Sequence, residues 1–143
     1  HDALPIFMKK ALLTIVTKQP GMEEDITFTT RSECEETAAG IKLNYEENLS
    51  DDDAVNTTLF IGEDSILVER TGDTGADMYF KDTATYETQY KAFGGISLDM
   101  RIFTTNLDID KNENGIKASV DYQLFLGGAS VGKMGMDIRV EYL

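Results

Sequence analysis

Tryptophan is absent, and the 143 residues hold one cysteine, one histidine and two prolines. With Cys34 alone, no intramolecular disulfide can form, and no basic flank, apolar centre and small-residue cleavage site mark a secretory signal, so a reducing cytoplasm is expected. The sole histidine is His1. Residues 1–7 read as the remnant of an expression tag ahead of Met8-Lys9-Lys10, which places the domain at residues 8–143. On that reading the domain has no histidine, and so lacks the commonest neutral-pH acid/base and transition-metal ligand. No apolar run approaches membrane-spanning length. Positive charge is also scarce: 13 basic residues face 26 acidic ones, a formal net charge of -13. Such a field repels phosphate backbones and anionic lipid surfaces, so neither nucleic acid nor membrane is expected as a partner.

Helical periodicity is missing too. No stretch keeps apolar residues at helical spacing between caps, whereas threonine, valine, isoleucine and tyrosine fill short runs bounded by glycine, asparagine and aspartate. The clearest pattern lies at the end of the chain. Ile116, Ala118, Val120, Tyr122, Leu124 and Leu126 alternate with polar residues, as do Met134, Met136, Ile138, Val140 and Tyr142. Period two of this kind predicts a half-buried antiparallel hairpin, residues 115–126 paired with 133–143, turning at Gly127-Gly128 and with bulges at Gly132 and Gly135. Upstream, strands are expected over residues 11–17, 26–36, 41–45, 55–61, 65–71, 76–80, 85–90 and 96–109, with a short helical turn near residues 51–54. In the long strand Ile96, Leu98, Met100 and Ile102 share one face and Phe103, Thr105, Leu107 and Ile109 the other, so a bulge is expected near residues 102–104. About ten short strands at meander spacing predict one closed, antiparallel, up-and-down barrel, because closure removes exposed edges.

The patches Leu43-Asn44-Tyr45-Glu46-Glu47, Leu67-Val68-Glu69-Arg70-Thr71-Gly72, Met78-Tyr79-Phe80, Tyr86-Glu87-Thr88-Gln89-Tyr90, residues 104–107 and residues 122–127 resemble the YwiB-like family of uncharacterised bacterial proteins. The resemblance runs over nearly the whole chain after Met8. It implies a lipocalin-like (calycin) β-barrel of about eight to ten strands. It implies no catalytic residue. The chain departs from the pattern at Lys91-Ala92-Phe93-Gly94-Gly95, which stand where a compact turn is expected.

Two short motifs invite sharper chemistry and are outweighed by their context. Asp73-Thr74-Gly75-Ala76-Asp77 matches the letters of the aspartic-protease signature, but Arg70-Thr71-Gly72 precedes it where that chemistry needs an apolar strand, so a hairpin turn is expected. Residues 110–121 match the oxygen-ligand spacing of a calcium loop, yet their flanks are strands and Lys117 occupies an apolar position of that loop, so an Asx-rich turn is expected. Cys34, amid Arg31, Glu33, Glu35 and Glu36, is expected as a packed, unreactive thiol.

Alternation also turns some polar groups inward. Glu47 follows Ile41, Leu43 and Tyr45; Arg70 follows Ile66 and Val68; Tyr86 and Tyr90 share a face; Tyr122 lies on the apolar face of its strand. A buried guanidinium must be paired, and Glu47 is the available carboxylate. The expected site is therefore a pocket inside the barrel that binds a small, partly apolar molecule without catalysis, contacted by Tyr45, Glu47, Arg70, Tyr86, Tyr90 and Tyr122. No catalytic residue, metal or cofactor is expected, and the protein would act as a monomer or homodimer. The alternative is a barrel with a filled interior that serves as a structural or protein-interaction module, self-associating through its rim.

Overall fold

Alternation of apolar and polar side chains sets which face of each strand turns inward, and ten strands follow one another among the described residues. The structure is a computed structural model and describes residues 7–50, 53–72 and 74–143. Its strands are β1 (Phe7–Lys18), β2 (Ile26–Thr37), β3 (Gly40–Ser50), β4 (Asp53–Ile61), β5 (Ser65–Thr71), β6 (Met78–Lys81), β7 (Thr85–Lys91), β8 (Ser97–Asn112), β9 (Gly115–Leu126) and β10 (Ala129–Tyr142). All pairings are antiparallel. Each strand lies beside its sequence neighbours, and β1 joins β10, giving the order β6-β5-β4-β3-β2-β1-β10-β9-β8-β7.

The sheet curls until its end strands meet. β6 and β7 share no ladder, but Gly75, ahead of β6, and Lys91 of β7 exchange hydrogen bonds of 2.9 and 3.0 Å, while Thr83 and Ala84 extend the β7–β8 pairing by bonding to Thr104 at 3.0 and 3.1 Å. The barrel is thus nearly closed, and the expected all-β, antiparallel, up-and-down architecture is what the chain adopts. The core lies inside it. Leu13, Leu43, Leu59, Ile61, Ile66, Phe80, Ile102, Val120 and Ile138 are almost wholly buried, and each stands at an inward position of its strand.

Bulges place the inward residues, and two differ from expectation. In β8 the register against β9 shifts between Thr104 and Asn106, so Thr105 is the extra residue and its hydroxyl donates to the Asp121 carbonyl at 3.1 Å. Thr104 therefore stays inside with Met100 and Ile102, and the inner face resumes at Leu107 and Ile109; Phe103 and Thr105 do not join it. In β10 the shift falls between Ser130 and Gly132, whereas Gly135 sits in regular register opposite Asp121. Gly135 is not at a bulge, and a Cβ there would make only ordinary contacts, 3.4 Å from the Asp121 carboxylate and 3.6 Å from the Lys18 side chain.

The expected helical turn at residues 51–54 is not formed at its second half, since Asp53 and Ala54 already belong to β4; Asp51 and Asp52 lie outside the described residues. A 3-10 turn instead occupies Phe93–Gly95, with Gly94 and Gly95 at φ of 83° and 80°, a region glycine enters without strain. Residues 1–6 also lie outside the described residues, while Phe7 pairs with Glu36 at the start of β1. Among the described residues no helix is long and apolar enough to cross a membrane.

Candidate functional site

At the end of the barrel where β1, β3, β5, β7 and β9 finish, the core stops short of the rim. The space left is a cavity of about 390 Å³. Its walls are Ile15 of β1, Phe28 of β2, Leu59 of β4, Val68 of β5, Met78 of β6, and Met136 and Ile138 of β10, with Tyr45, Glu47 and Arg70 as its polar side. Strand register assembles that polar side. Tyr45 is opposite Thr57 and Thr57 is opposite Arg70, so the three form a row across β3, β4 and β5, with Glu47 one inward position further along β3. The short side chain of Thr57 leaves room for the long guanidinium to cross β4 and reach Glu47.

That contact is an ion pair. Arg70 Nε donates to Glu47 Oε1 at 3.1 Å, and the two side chains are 19% and 16% exposed. The Thr57 hydroxyl donates to the same carboxylate oxygen at 2.5 Å. Arg70 Nη1 donates to the Ala76 carbonyl at 3.1 Å and approaches Met78 Sδ at 3.6 Å, while the Arg70 backbone N–H donates to Asp77 Oδ1 at 2.8 Å. A guanidinium is costly to bury without partners, and these partners are what make its inward position tolerable.

The tyrosines divide into two groups. Tyr45 is 8% exposed and packs its ring against Phe28 at 5.6 Å. Burial holds its phenol well above the usual tyrosine range, Glu47 adds to the effect and Arg70 opposes it. Tyr122 is 4% exposed, packs on Phe80 at 4.9 Å, and has its phenol pushed up to about 12 by burial, again opposed by Arg70. Tyr122 faces the barrel interior near Arg70 but also borders a separate trough beside Lys18 and Gln123. Tyr86 and Tyr90 point from β7 towards the interior, yet neither lines the cavity: Tyr86 meets Tyr79 in a tilted ring pair at 5.9 Å over the β6–β7 seam, and Tyr90 stands opposite Leu98 near the rim. The structure therefore gathers Tyr45, Glu47 and Arg70, sets Tyr122 beside them, and leaves Tyr86 and Tyr90 apart.

A larger hollow of about 740 Å³ runs over the seam, bordered by residues 74–77, β7 and β8, and Arg70 lines this hollow as well. Its margins include the exposed Glu87, Gln89, Lys91, Asp99 and Arg101, so it is a trough open to solvent. The smaller cavity has the apolar walls and converging polar groups of a binding pocket.

Sequence reasoning missed Thr57, Asp77, Phe28 and Met78. Thr57 was legible as the one polar member of the inward series Val55, Thr57, Leu59, Ile61. Asp77 was read only within its five-residue motif, whereas it ties down the backbone of Arg70.

Both sharper motifs fall at connections between strands. Asp73 lies outside the described residues; around it Gly72 and Gly75 have φ of 148° and 94°, giving a glycine-bracketed connection between β5 and β6. At the β8–β9 turn, Asn112 Oδ1 accepts the N–H groups of Asn114 and Gly115 at 2.7 and 3.1 Å, an Asx turn. Among the described residues no three His, Cys, Asp or Glu side chains group as metal ligands. Cys34 is fully buried, and its thiol is pushed up to about 11, chiefly by burial and next by Glu36.

The family model described as "Domain of unknown function (DUF1934)" matches residues 12–138. Among solved structures the fold is similar to that of the ywiB protein from Bacillus subtilis, at 23% identity and a TM-score of 0.76, covering 96% of this chain and 93% of that one. No curated protein matches the sequence.

Proposed function

We propose that this chain, which belongs to the DUF1934 family, is a non-catalytic binding protein that takes a small, partly apolar molecule into the open end of its barrel, in the manner of a lipocalin. The observation that carries this reading is the 390 Å³ cavity, with apolar walls on six strands and one polar side made by Tyr45, Glu47 and Arg70. A cavity of this size and composition suits a compact ligand with an apolar body. The charge of Arg70 is already offset by Glu47 at 3.1 Å, so the head group best matched is uncharged and hydrogen-bonding. The buried phenol of Tyr45, held protonated, supplies a donor to it. The chain works in the cytoplasm on this reading.

Native mass spectrometry of the protein taken gently from its own host tests the proposal. A bound small molecule that leaves on collisional activation is expected, and its loss in Tyr45→Phe or Arg70→Met protein that remains folded would locate it. Bare protein mass from gentle preparations speaks against the reading.

A further inference from the structure

The ladder between β2 and β3 stops at the pair Glu33 and Asn44, although both strands continue towards the open end. At that point the Ser32 hydroxyl bonds to the carbonyls of this last pair, Asn44 at 2.8 Å and Glu33 at 3.0 Å. Beyond this fork residues 26–31 keep ladder partners only in β1, and residues 45–50 only in β4. Phe28 and Tyr45 meet across the mouth of the fork, which opens onto the interior cavity. Among the described residues, two facing rows of backbone N–H and C=O groups are therefore without ladder partners. Strand edges of this kind template the addition of another strand.

We propose that this fork is a docking groove for an extended peptide segment of a partner protein, which adds between β2 and β3 and completes the barrel wall. A polypeptide backbone presents donors and acceptors along both of its edges and so can match both rows, which a compact small molecule cannot. The side-chain chemistry of the partner follows from the two faces of the groove. Inward positions meet Ile26, Phe28 and the cavity, and so call for apolar residues. Outward positions pass exposed Glu46 and Arg31, with Glu23, Glu24 and Asp25 exposed in the β1–β2 connection, on a chain of net charge -13. That surplus of carboxylates favours basic residues there. The segment is thus one in which apolar and basic residues alternate. The inference stands on the fork, and the inward side chains of the segment would enter the same cavity that the proposed small molecule occupies.

The test is amide hydrogen exchange on the full chain with two pools of short synthetic peptides. In the first, lysine alternates with valine, leucine or phenylalanine; in the second, the same sequences are N-methylated at alternate residues, which keeps charge and side chains but removes backbone donors. Slowed exchange confined to residues 26–31 and 45–47 with the first pool, and absent with the second, is expected. Glu46→Lys should weaken the binding roughly 2–5-fold, as loss of an exposed charge pair would. No protection by the first pool, equal protection by both, or protection elsewhere overturns the proposal. So does concentration-dependent protection of the same amides without peptide, which would make a second copy of this chain the occupant. Small-molecule binding is read separately, by mass.

Discussion

Arg70 Nε lies 3.1 Å from Glu47 Oε1, with the Thr57 hydroxyl on the same oxygen, so three strands are tied together at the polar side of the cavity. Removing one partner leaves the other charge partly buried and uncompensated. Both side chains are under a fifth exposed, which trims the full buried-pair cost. Arg70→Met and Glu47→Gln are each expected to lose about 2–3 kcal/mol, and the double variant to recover at least about 1 kcal/mol of the sum. Urea melts of the four proteins measure this. Strict additivity would mean that the pair is not coupled in solution.

Alkaline pH should unfold the protein through its buried acids. The neutral phenol of Tyr122 is favoured in the folded state, with its pKa raised from 10.0 to about 12, and that of Tyr45 is raised in the same direction. The Cys34 thiol is raised from 9.0 to about 11. In the unfolded chain these groups lose protons first, so the unfolded state binds fewer protons and stability falls with rising pH. The stabilisation is complete below pH 9, declines from there as Cys34 and then the tyrosines titrate in the unfolded chain, and the Cys34 and Tyr122 parts of it are lost by about pH 12. Denaturant melts at pH 8, 10 and 11 should show a growing loss, and Cys34→Ala should remove the earliest part of it. A flat profile would contradict the burial of these groups.

Gly115 separates local turn chemistry from packing. Its φ of 153° lies where L side chains are strained, and a Cβ there would collide with the carbonyl oxygen of Val140 on the neighbouring strand. At Gly94, φ is 83° but nothing lies within 4 Å. Gly94→Ala is expected to cost about 1 kcal/mol from the backbone alone, and Gly115→Ala about 3 kcal/mol or more, because the β9–β10 ladder must shift. Thermal melts compare them; equal losses would show that the close approach of Gly115 to Val140 is absent.

These particulars show what could be read in the chain beforehand. Period-two alternation in β9 and β10 was strong enough to place Val120, Tyr122, Ile138 and Val140 inside and to predict the barrel, and alternation alone turned Arg70 and Glu47 inward. The bulge in β8 was anticipated from the parity change, but its position at Thr105 was not, because Thr104 passes as a surface residue until the register against β9 is seen to keep it buried beside Ile102. Tyr86 and Tyr90 share the inward face of β7, and only the curl of the sheet carries them to the seam, away from Tyr45. The fork between β2 and β3 left no mark in the alternation, since strands pattern the same way whether or not a neighbour pairs with them.

The methionine methyl groups test the central claim most directly. Met78 and Met136 line the cavity, whereas Met8 and Met22 are 54% and 50% exposed. With ¹³C-labelled methionine methyls, titration with the uncharged apolar probe N-phenyl-1-naphthylamine should shift the Met78 and Met136 resonances saturably and leave Met8 and Met22 unmoved. Shifts confined to Met8 and Met22, or none at any methyl, would show that the open end of the barrel is not a binding pocket.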